Sequence, residues 1–293
     1  YRISLRRPNK RWKISRRVML DRLTRMWSNS IRIRVLCWLV FEYDMVAANF
    51  DQKPFHLNEA GSKAAKTLAI KGSRWVPLKE LHSETRARWT ASTLTISSAA
   101  LAAKGLHLEV LFKGGEGVCA KLQQVCAELD APARVTAQTS DSGSYRLEHI
   151  LFYLEVALRR APGEDRRWRL LFADVYSPHL CEAVKKLAWS LSYVMIMHGG
   201  GTTGIAQVPD THLHATLSRE YMKLEMNDQF RQLEEDPGCC PTRRREACLR
   251  DLVLVWLRPE IHVAASKGFK HNMLTNALDG TEDGQASKEI SRF

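Results

Sequence analysis

Residues 167–174 read Arg-Trp-Arg-Leu-Leu-Phe-Ala-Asp, an apolar strand candidate that runs directly into the carboxylate of Asp174. A second apolar segment, 45–51 (MVAANFD), also ends on an aspartate, Asp51. A third aspartate, Asp210, begins a long helical pattern. In α/β sheets, the ends of parallel strands and the starts of helices converge at one edge. The three aspartates are therefore expected to lie side by side.

The segments around this stretch predict an α/β chain. After the first strand, three segments rich in β-branched and aromatic residues are typical of an antiparallel meander: 73–80, 87–97 and 106–112. Apolar periodicity predicts helices over about 117–129, from Arg146, over 180–192 and from Asp210, and a strand over 193–197. The order strand, helix, strand, helix from residue 167 onward implies parallel pairing through crossovers.

Positive charge is concentrated at the N-terminus. The net charge is +12, and residues 1–34 carry twelve Lys or Arg and one Asp, a net +11. Basic side chains suit a phosphate backbone because each contact releases counterions. A solvated face of the amphipathic helix predicted from Ser15 is the alternative. The candidate DNA-binding residues are Arg6, Arg7, Lys10, Arg11, Lys13, Arg16 and Arg17.

Composition indicates a globular protein with reduced thiols. The hydrophobic content of 45% is ample for a core, and the longest apolar run, 35–43, is interrupted by Glu42, so no membrane partner is expected. Seven cysteines without a regular framework favour an intracellular compartment. Cys239, Cys240, Cys248 and His262 fit no zinc-ligand spacing, so we interpret them as structural.

Three clustered carboxylates repel one another and raise each other's pKa unless a cation lies between them. Oxygen ligands suit Mg²⁺ or Mn²⁺, and two such ions about 3.5–4 Å apart stabilise both oxygens in phosphodiester cleavage. The alternative is that the aspartates are unrelated surface or capping residues, with Asp210 as a helix N-cap. Spacing alone leaves both interpretations open.

Histidines and glycines near the third aspartate suggest two further kinds of site, a histidine-containing metal site and a hydrolase oxyanion loop. His212 and His214 are two positions apart on a helix and face different directions, so at most one can assist Asp210. Structural or solvent-facing roles are favoured for these two and for His179. The glycines of 198–201 (HGGG) resemble a lipase oxyanion loop, but the chain has no Gly-x-Ser-x-Gly elbow. They are expected to allow a tight turn beside the site.

Five segments, taken in order, resemble the DDE superfamily endonuclease domain of pogo/Tigger-type transposases. They are 49–58 (NFDQKPFHLN), 70–97, 108–114 (LEVLFKG), 169–180 (RLLFADVYSPHL) and 202–210 (TTGIAQVPD). The family's acidic blocks are matched by Asn49, Asp51, Gln52 and Pro54, by Asp174, Ser177 and His179, and, with a one-residue rearrangement, by Gln207, Pro209 and Asp210. The 35 residues between the last two acids fit the family's spacing.

The resemblance implies an α/β fold, a ribonuclease-H-like mixed sheet flanked by helices. It implies that Asp51, Asp174 and Asp210 are both catalytic residues and ligands of two Mg²⁺ or Mn²⁺ ions. Asp51 would bridge the ions, while Asp174 and Asp210 would each hold one. The implied function is metal-dependent DNA cleavage and strand transfer by a nuclear protein that can form a homodimer. The alternative is a domesticated or relic core that binds DNA or a partner without catalysis.

Two departures from the family bear on this choice. Val175 stands where the family often has Asn or Asp, and the chain begins at Tyr1 without the family's helix-turn-helix region, so we expect a fragment. The expected organisation is a basic arm and helix at 1–34, the catalytic domain at 35–235, a helical extension at 236–275 and a disordered tail at 276–293.

Overall fold

The computed structural model describes residues 15–57, 88–129, 134–160, 164–236, 244–288 and 290–292. The predicted strand at 73–80 lies outside these residues. So do five of the candidate DNA-binding residues: Arg6, Arg7, Lys10, Arg11 and Lys13.

Six strands form one mixed sheet: β1 Ala47–His56, β2 Arg88–Ile96, β3 Leu108–Lys113, β4 Val135–Ser140, β5 Arg169–Ala173 and β6 Tyr193–Met197. Their order is β4-β3-β2-β1-β5-β6. Pairing is antiparallel for β1 with β2 and β2 with β3, and parallel for β1 with β5, β5 with β6 and β3 with β4. An antiparallel meander extended at its first strand by two parallel strands is the ribonuclease-H-like arrangement, so the predicted fold class is confirmed.

Helices flank the sheet: α1 Arg16–Phe41, α2 Ala99–Ala103, α3 Glu116–Glu128, α4 Leu147–Leu158, α5 Glu182–Ser190, α6 Thr203–Ala206, α7 His214–Glu235, α8 Arg245–Trp256, α9 Pro259–Ser266 and α10 Gly268–His271. A π-helical turn, Pro209–Leu213, precedes α7. Short 3₁₀ turns occur at Ser177–Leu180, Asp283–Gln285 and Ile290–Arg292. In the described parts of the chain, none of the helices is long and apolar enough to cross a membrane.

The prediction that the first strand ends at Asp51 is wrong. β1 continues to His56, so Asp51 lies in the middle of the strand. The reason is that β1 has two neighbours of different length. β5 pairs only with 47–49, whereas β2 pairs with β1 as far as His56. Asp51 therefore lies just beyond the end of the parallel ladder, beside the point where β5 ends.

β4 was not predicted from the sequence, because its residues VTAQTS lack an apolar run. This strand is at the edge of the sheet, with Val135 and Ala137 buried while the residues between and after them are partly exposed. An edge strand needs only one apolar face, so its sequence signal is weak.

Two hydrophobic cores hold the helices to the sheet. The larger contains an aromatic group from β1, β2, β3 and α7, in which Phe55 stacks on Trp89 at 4.6 Å between ring centroids. The smaller packs Met19, Leu23 and Met26 of α1 against Phe172 of β5. Full burial of each such side chain contributes about 1.5–3 kcal/mol. The sheet is thus fixed on both sides around the ends of β1 and β5.

The N-terminal basic segment continues into a long packed helix. Ser15 caps α1 by accepting from the Val18 amide at 3.3 Å, and the expected domain boundary after residue 34 lies within this helix. Arg34 is buried, with its Nε donating to Asp44 Oδ1 at 2.8 Å. At the other end of the chain, where composition predicts disorder, Ile290 is 5% exposed and belongs to the same smaller core.

Candidate metal centre

Asp51, Asp210 and His214 form a compact cluster at the end of the parallel strands. One ligand atom from each residue lies within 4.8 Å of the other two. His214 Nδ1 is 3.2 Å from Asp210 Oδ1 and 3.7 Å from Asp51 Oδ2. Within the described ranges this is the one group of three or more His, Cys, Asp or Glu side chains with spacing suited to a metal ion. Two of the predicted metal ligands, Asp51 and Asp210, therefore lie close together, and His214 lies beside both.

The positions of Asp51 and Asp210 depend on Asn49, which is fully buried. The Asn49 side-chain amide donates to the Phe172 carbonyl of β5 at 2.8 Å. Its oxygen accepts from the Val208 amide at 2.7 Å, two residues before Asp210. A single side chain therefore connects β1, β5 and the turn that carries the third aspartate.

Asp174 follows β5 directly, as predicted, but its carboxylate is held by a different partner. Its Oδ1 accepts from His179 Nδ1 at 2.7 Å and from the Tyr176 amide at 3.3 Å. The His179 ring is buried and meets Phe50 edge-on at 4.6 Å. Gln52 Nε2 lies 3.3 Å from His179 Nε2, where its amide can donate and so keep the proton on Nδ1. Asp174 is thus ordered next to the cluster without being one of its three members.

Electrostatics show that the acids act on one another. The pKa of Asp51 is raised well above its usual value, mainly by burial and then by the negative charges of Asp210 and Asp174. This is the mutual repulsion expected of clustered carboxylates. For Asp174, burial also acts to raise the pKa, but the hydrogen bonds from His179 and from the Tyr176 amide outweigh it, so the net pKa is lowered. The repulsion among the acids therefore raises mainly the pKa of Asp51, and a divalent cation bound beside Asp51 would relieve this repulsion.

The two helix histidines face in different directions, as their spacing predicts. His214 faces Asp51 and Asp210, whereas His212 Nε2 lies 2.9 Å from His271 Nδ1. From the sequence, a structural or solvent-facing role was expected for both histidines, so the position of His214 in the cluster was not predicted. Its spacing of four residues from Asp210 was the available signal, since such residues share a helix face. Burial lowers the pKa of His214 although Asp210 opposes the shift, which favours the neutral imidazole that ligates metals.

The loop at 198–201 borders the same region. The His198 amide donates to the Ala173 carbonyl at 2.7 Å, and burial lowers the pKa of its imidazole to about 4. A Cβ on Gly199 would lie 2.7 Å from Arg22 Cβ, so a glycine is required where α1 approaches the loop. Arg22 also donates to the Gly200 carbonyl. The glycines therefore allow the basic helix to lie next to the site.

Basic side chains of α1 line a groove that ends at this loop. Arg22, Arg25, Asn29 and Arg32 form one wall, and β6 with Gly199 forms the other. Of the predicted DNA-binding residues, the structure describes Arg16 and Arg17, which are exposed at the start of α1. The groove was not predicted, because the sequence does not show which face of α1 packs against β6.

Comparison with known proteins gives distant structural similarity only. A scan of protein-family models finds no match, and a search of curated proteins finds none. Among solved structures, the Mos1 transposase paired-end complex with left transposon end is 16% identical, with a TM-score of 0.40, over 91% of this chain and 67% of that chain. The Mos1 Strand Transfer Complex is 15% identical, with a TM-score of 0.44, over 89% and 65%.

The catalytic domain of Mos1 mariner transposase is 15% identical, with a TM-score of 0.36, over 87% of this chain and 96% of that domain. The chain thus spans about two thirds of the longer transposase chains in the two complexes. Likeness this distant establishes neither a family nor an activity, and the pogo/Tigger subtype stays a prediction. The strand order identifies the fold: this chain is a ribonuclease-H-like α/β protein in which β1, the π-helical turn and the start of α7 bring Asp51, Asp210 and His214 together.

Proposed function

We propose that this protein is a metal-dependent endonuclease of the DDE transposase type, which cleaves DNA strands and transfers them. The observation that carries the proposal is the gathering of Asp51, Asp210 and His214, with Asp174 alongside, where β5 ends and β1 continues. A buried carboxylate that is repelled by two neighbouring carboxylates, as Asp51 is by Asp210 and Asp174, is unfavourable by itself, and a divalent cation explains why the fold would retain it.

The residues have separate roles in this proposal. Asp51 would be the central metal ligand, Asp210 and His214 would complete one divalent-ion site with it, and Asp174 would hold a second ion beside it. Mg²⁺ or Mn²⁺ bound here would supply the charge that activates an attacking water and stabilises the leaving oxygen of a phosphodiester. His179 keeps the Asp174 carboxylate ionised and oriented, and Gln52 keeps the His179 proton on the side of Asp174.

DNA is the proposed partner. Support comes from the basic N-terminal residues and from the groove of Arg22, Arg25 and Arg32, which leads to the loop beside the acids. Phosphate contacts of this kind give affinity without sequence readout. Following the family resemblance, we further propose nuclear localisation and assembly as a homodimer.

The direct test of this function is nicking of supercoiled plasmid by the purified chain. We expect nicked product with Mg²⁺ or Mn²⁺ and none with EDTA. Asp141→Asn, which changes an exposed aspartate, serves as a matched control and should cleave like the wild type. DNA binding without any metal-dependent nicked product would contradict catalysis. It would favour the second candidate function, a relic core that only binds DNA. Val175 beside Asp174, where the family often has Asn or Asp, also favours this second candidate.

Replacing Arg6, Arg7, Lys10, Arg11 and Lys13 with glutamine should flatten the salt dependence of DNA binding. The slope of log K against log salt is about 0.9 per phosphate contact on duplex DNA, so loss of five contacts should lower its magnitude by about 4.5. Fluorescence anisotropy over a salt series measures this slope. We choose substitution over deletion of residues 1–34 because Met19, Leu23 and Met26 belong to the smaller core.

The control for this experiment is the double change Lys113→Gln and Lys121→Gln. Both side chains are exposed, on β3 and α3, near the β4 edge of the sheet and away from α1. This variant should retain the wild-type slope. If the five N-terminal changes leave the slope unaltered, the main DNA surface lies elsewhere on the protein.

A further inference from the structure

The imidazole of His214 lies between the acidic cluster and a buried threonine. Its Nδ1 faces Asp210 and Asp51 at 3.2 and 3.7 Å, and its Nε2 lies 2.9 Å from Thr93 Oγ1. Thr93 is fully buried on β2, opposite Asp51 in the antiparallel ladder, and His214 is 5% exposed. The ring is therefore held at both nitrogens, and its tautomer determines what it presents to the acids.

The hydroxyl proton of Thr93 has two possible acceptors. The Asp51 carbonyl oxygen, 3.2 Å from Thr93 Oγ1, can only accept, so a hydrogen bond there uses the single hydroxyl proton. Thr93 Oγ1 must then accept from Nε2–H of His214, which leaves a lone pair on Nδ1 facing the two carboxylates. In the opposite arrangement Thr93 donates to Nε2, and Nδ1–H donates to Asp210.

The two arrangements respond differently to a cation. A lone pair on Nδ1, 3.2 and 3.7 Å from carboxylate oxygens, is unfavourable unless positive charge lies between them. With a divalent ion present, the same lone pair becomes a ligand, and Thr93 provides the outer hydrogen bond that typically fixes a metal-bound histidine. A bound cation therefore selects the tautomer with its proton on Nε2.

We infer that His214 ligates the metal through Nδ1, that Thr93 is the positioning residue that sets its tautomer, and that the site consequently prefers Mn²⁺ to Mg²⁺. This inference rests on the proposed function, since it concerns the metal held by the same acids. Mg²⁺ favours oxygen ligands and gives up water reluctantly, whereas imidazole is a better ligand for transition metals. A nitrogen in place of a third oxygen thus shifts selectivity towards Mn²⁺.

The test measures Mn²⁺ and Mg²⁺ affinity by calorimetry, together with pulsed electron paramagnetic resonance of bound Mn²⁺. The wild type should show coupling of Mn²⁺ to a ¹⁴N nucleus. His214→Asp should lose that coupling and lower the ratio of Mn²⁺ to Mg²⁺ affinity by about tenfold or more, because oxygen replaces nitrogen. Thr93→Val should weaken Mn²⁺ binding about 10- to 100-fold, as loss of outer-sphere partners typically does, while Thr93→Ser should bind like the wild type.

The outcomes separate this inference from the proposed function. Mn²⁺ that binds in an Asp51-dependent way without ¹⁴N coupling overturns ligation by His214 but leaves the proposed metal-dependent endonuclease standing, with the aspartates as its metal ligands. Coupling that persists in His214→Asp also overturns the assignment, since another histidine would then be the ligand. Unchanged affinity in Thr93→Val overturns the positioning role. If Asp51→Asn does not affect Mn²⁺ binding, or Mn²⁺ does not bind at all, the metal site itself and the proposed function both fail.

Discussion

Asp51→Asn is expected to lower metal-dependent plasmid nicking by more than about two orders of magnitude. Loss of an outer-sphere partner alone costs about 10- to 100-fold in affinity or activity, and the proposed function makes Asp51 a direct metal ligand. The substitution preserves shape while removing the charge. Initial nicking rates over a range of Mg²⁺ concentrations measure the effect, and an Asp51→Asn rate within a few-fold of wild type would remove Asp51 from the reaction.

The same change should stabilise the metal-free protein at neutral pH. The folded-state pKa of Asp51 is raised above its unfolded value by burial and by Asp210 and Asp174, so the folded protein binds its proton more tightly. The contribution of Asp51 to the free energy of unfolding therefore increases as pH falls through the folded pKa, and is least favourable above it. Asp51→Asn removes this dependence, which urea denaturation in EDTA at pH 5 and pH 8 can detect.

Asp174→Asn provides the comparison. Its folded-state pKa is lowered by His179, so its contribution to stability is present above the unfolded pKa and is lost as pH falls. This variant should be less stable than the wild type at pH 8, in contrast to Asp51→Asn. A wild-type protein that is more stable than Asp51→Asn at pH 8 in EDTA would contradict the electrostatic account of the cluster.

Asn49→Ala should destabilise the protein by about 2–6 kcal/mol, since it leaves two buried backbone groups without their side-chain partner and each costs about 1–3 kcal/mol. The groups are the Phe172 carbonyl and the Val208 amide. Because Asn49 connects β1 to β5 and to the turn before Asp210, the variant should also bind Mn²⁺ more weakly. Chemical denaturation and calorimetry measure the two effects.

The matched control is Asn29→Ala, which removes the same group from an exposed position on α1. A change within about 0.5 kcal/mol is expected there, as for most surface substitutions. If Asn49→Ala is no more destabilising than Asn29→Ala, Asn49 does not hold the site together.

The sequence predicts those parts of the fold whose signal is local. The strand before Asp174, the strand at 193–197 and two segments of the predicted meander, 87–97 (β2) and 106–112 (β3), were recognisable from apolar, β-branched and aromatic runs that end in polar turns. The length of β1 could not be predicted from the sequence, because the apolar pattern ends at Asp51 whereas the pairing of β1 with β2 continues beyond it. The end of a strand can be predicted from the sequence only where the apolar sequence pattern and the hydrogen-bonded strand pairing end at the same residue.

The candidate site shows the same limit. The position of Asp174 after a strand and that of Asp210 before a helix were visible in the sequence, whereas Asp51 was recognised as a site residue but wrongly placed at the end of its strand. The choice of partner for each aspartate was not visible, because it depends on tertiary contacts: His179 holds Asp174, and His214 joins Asp51 and Asp210. The resemblance to the family's acidic blocks included Asn49 and Gln52, but only the structure shows their hydrogen bonds.

The most direct test of the central claim is an anomalous difference map from crystals of this protein soaked in Mn²⁺. A peak bordered by the side chains of Asp51, Asp210 and His214, absent from crystals of Asp51→Asn, is the predicted result. A map in which Mn²⁺ occupies other positions while this cluster shows no peak would contradict the account.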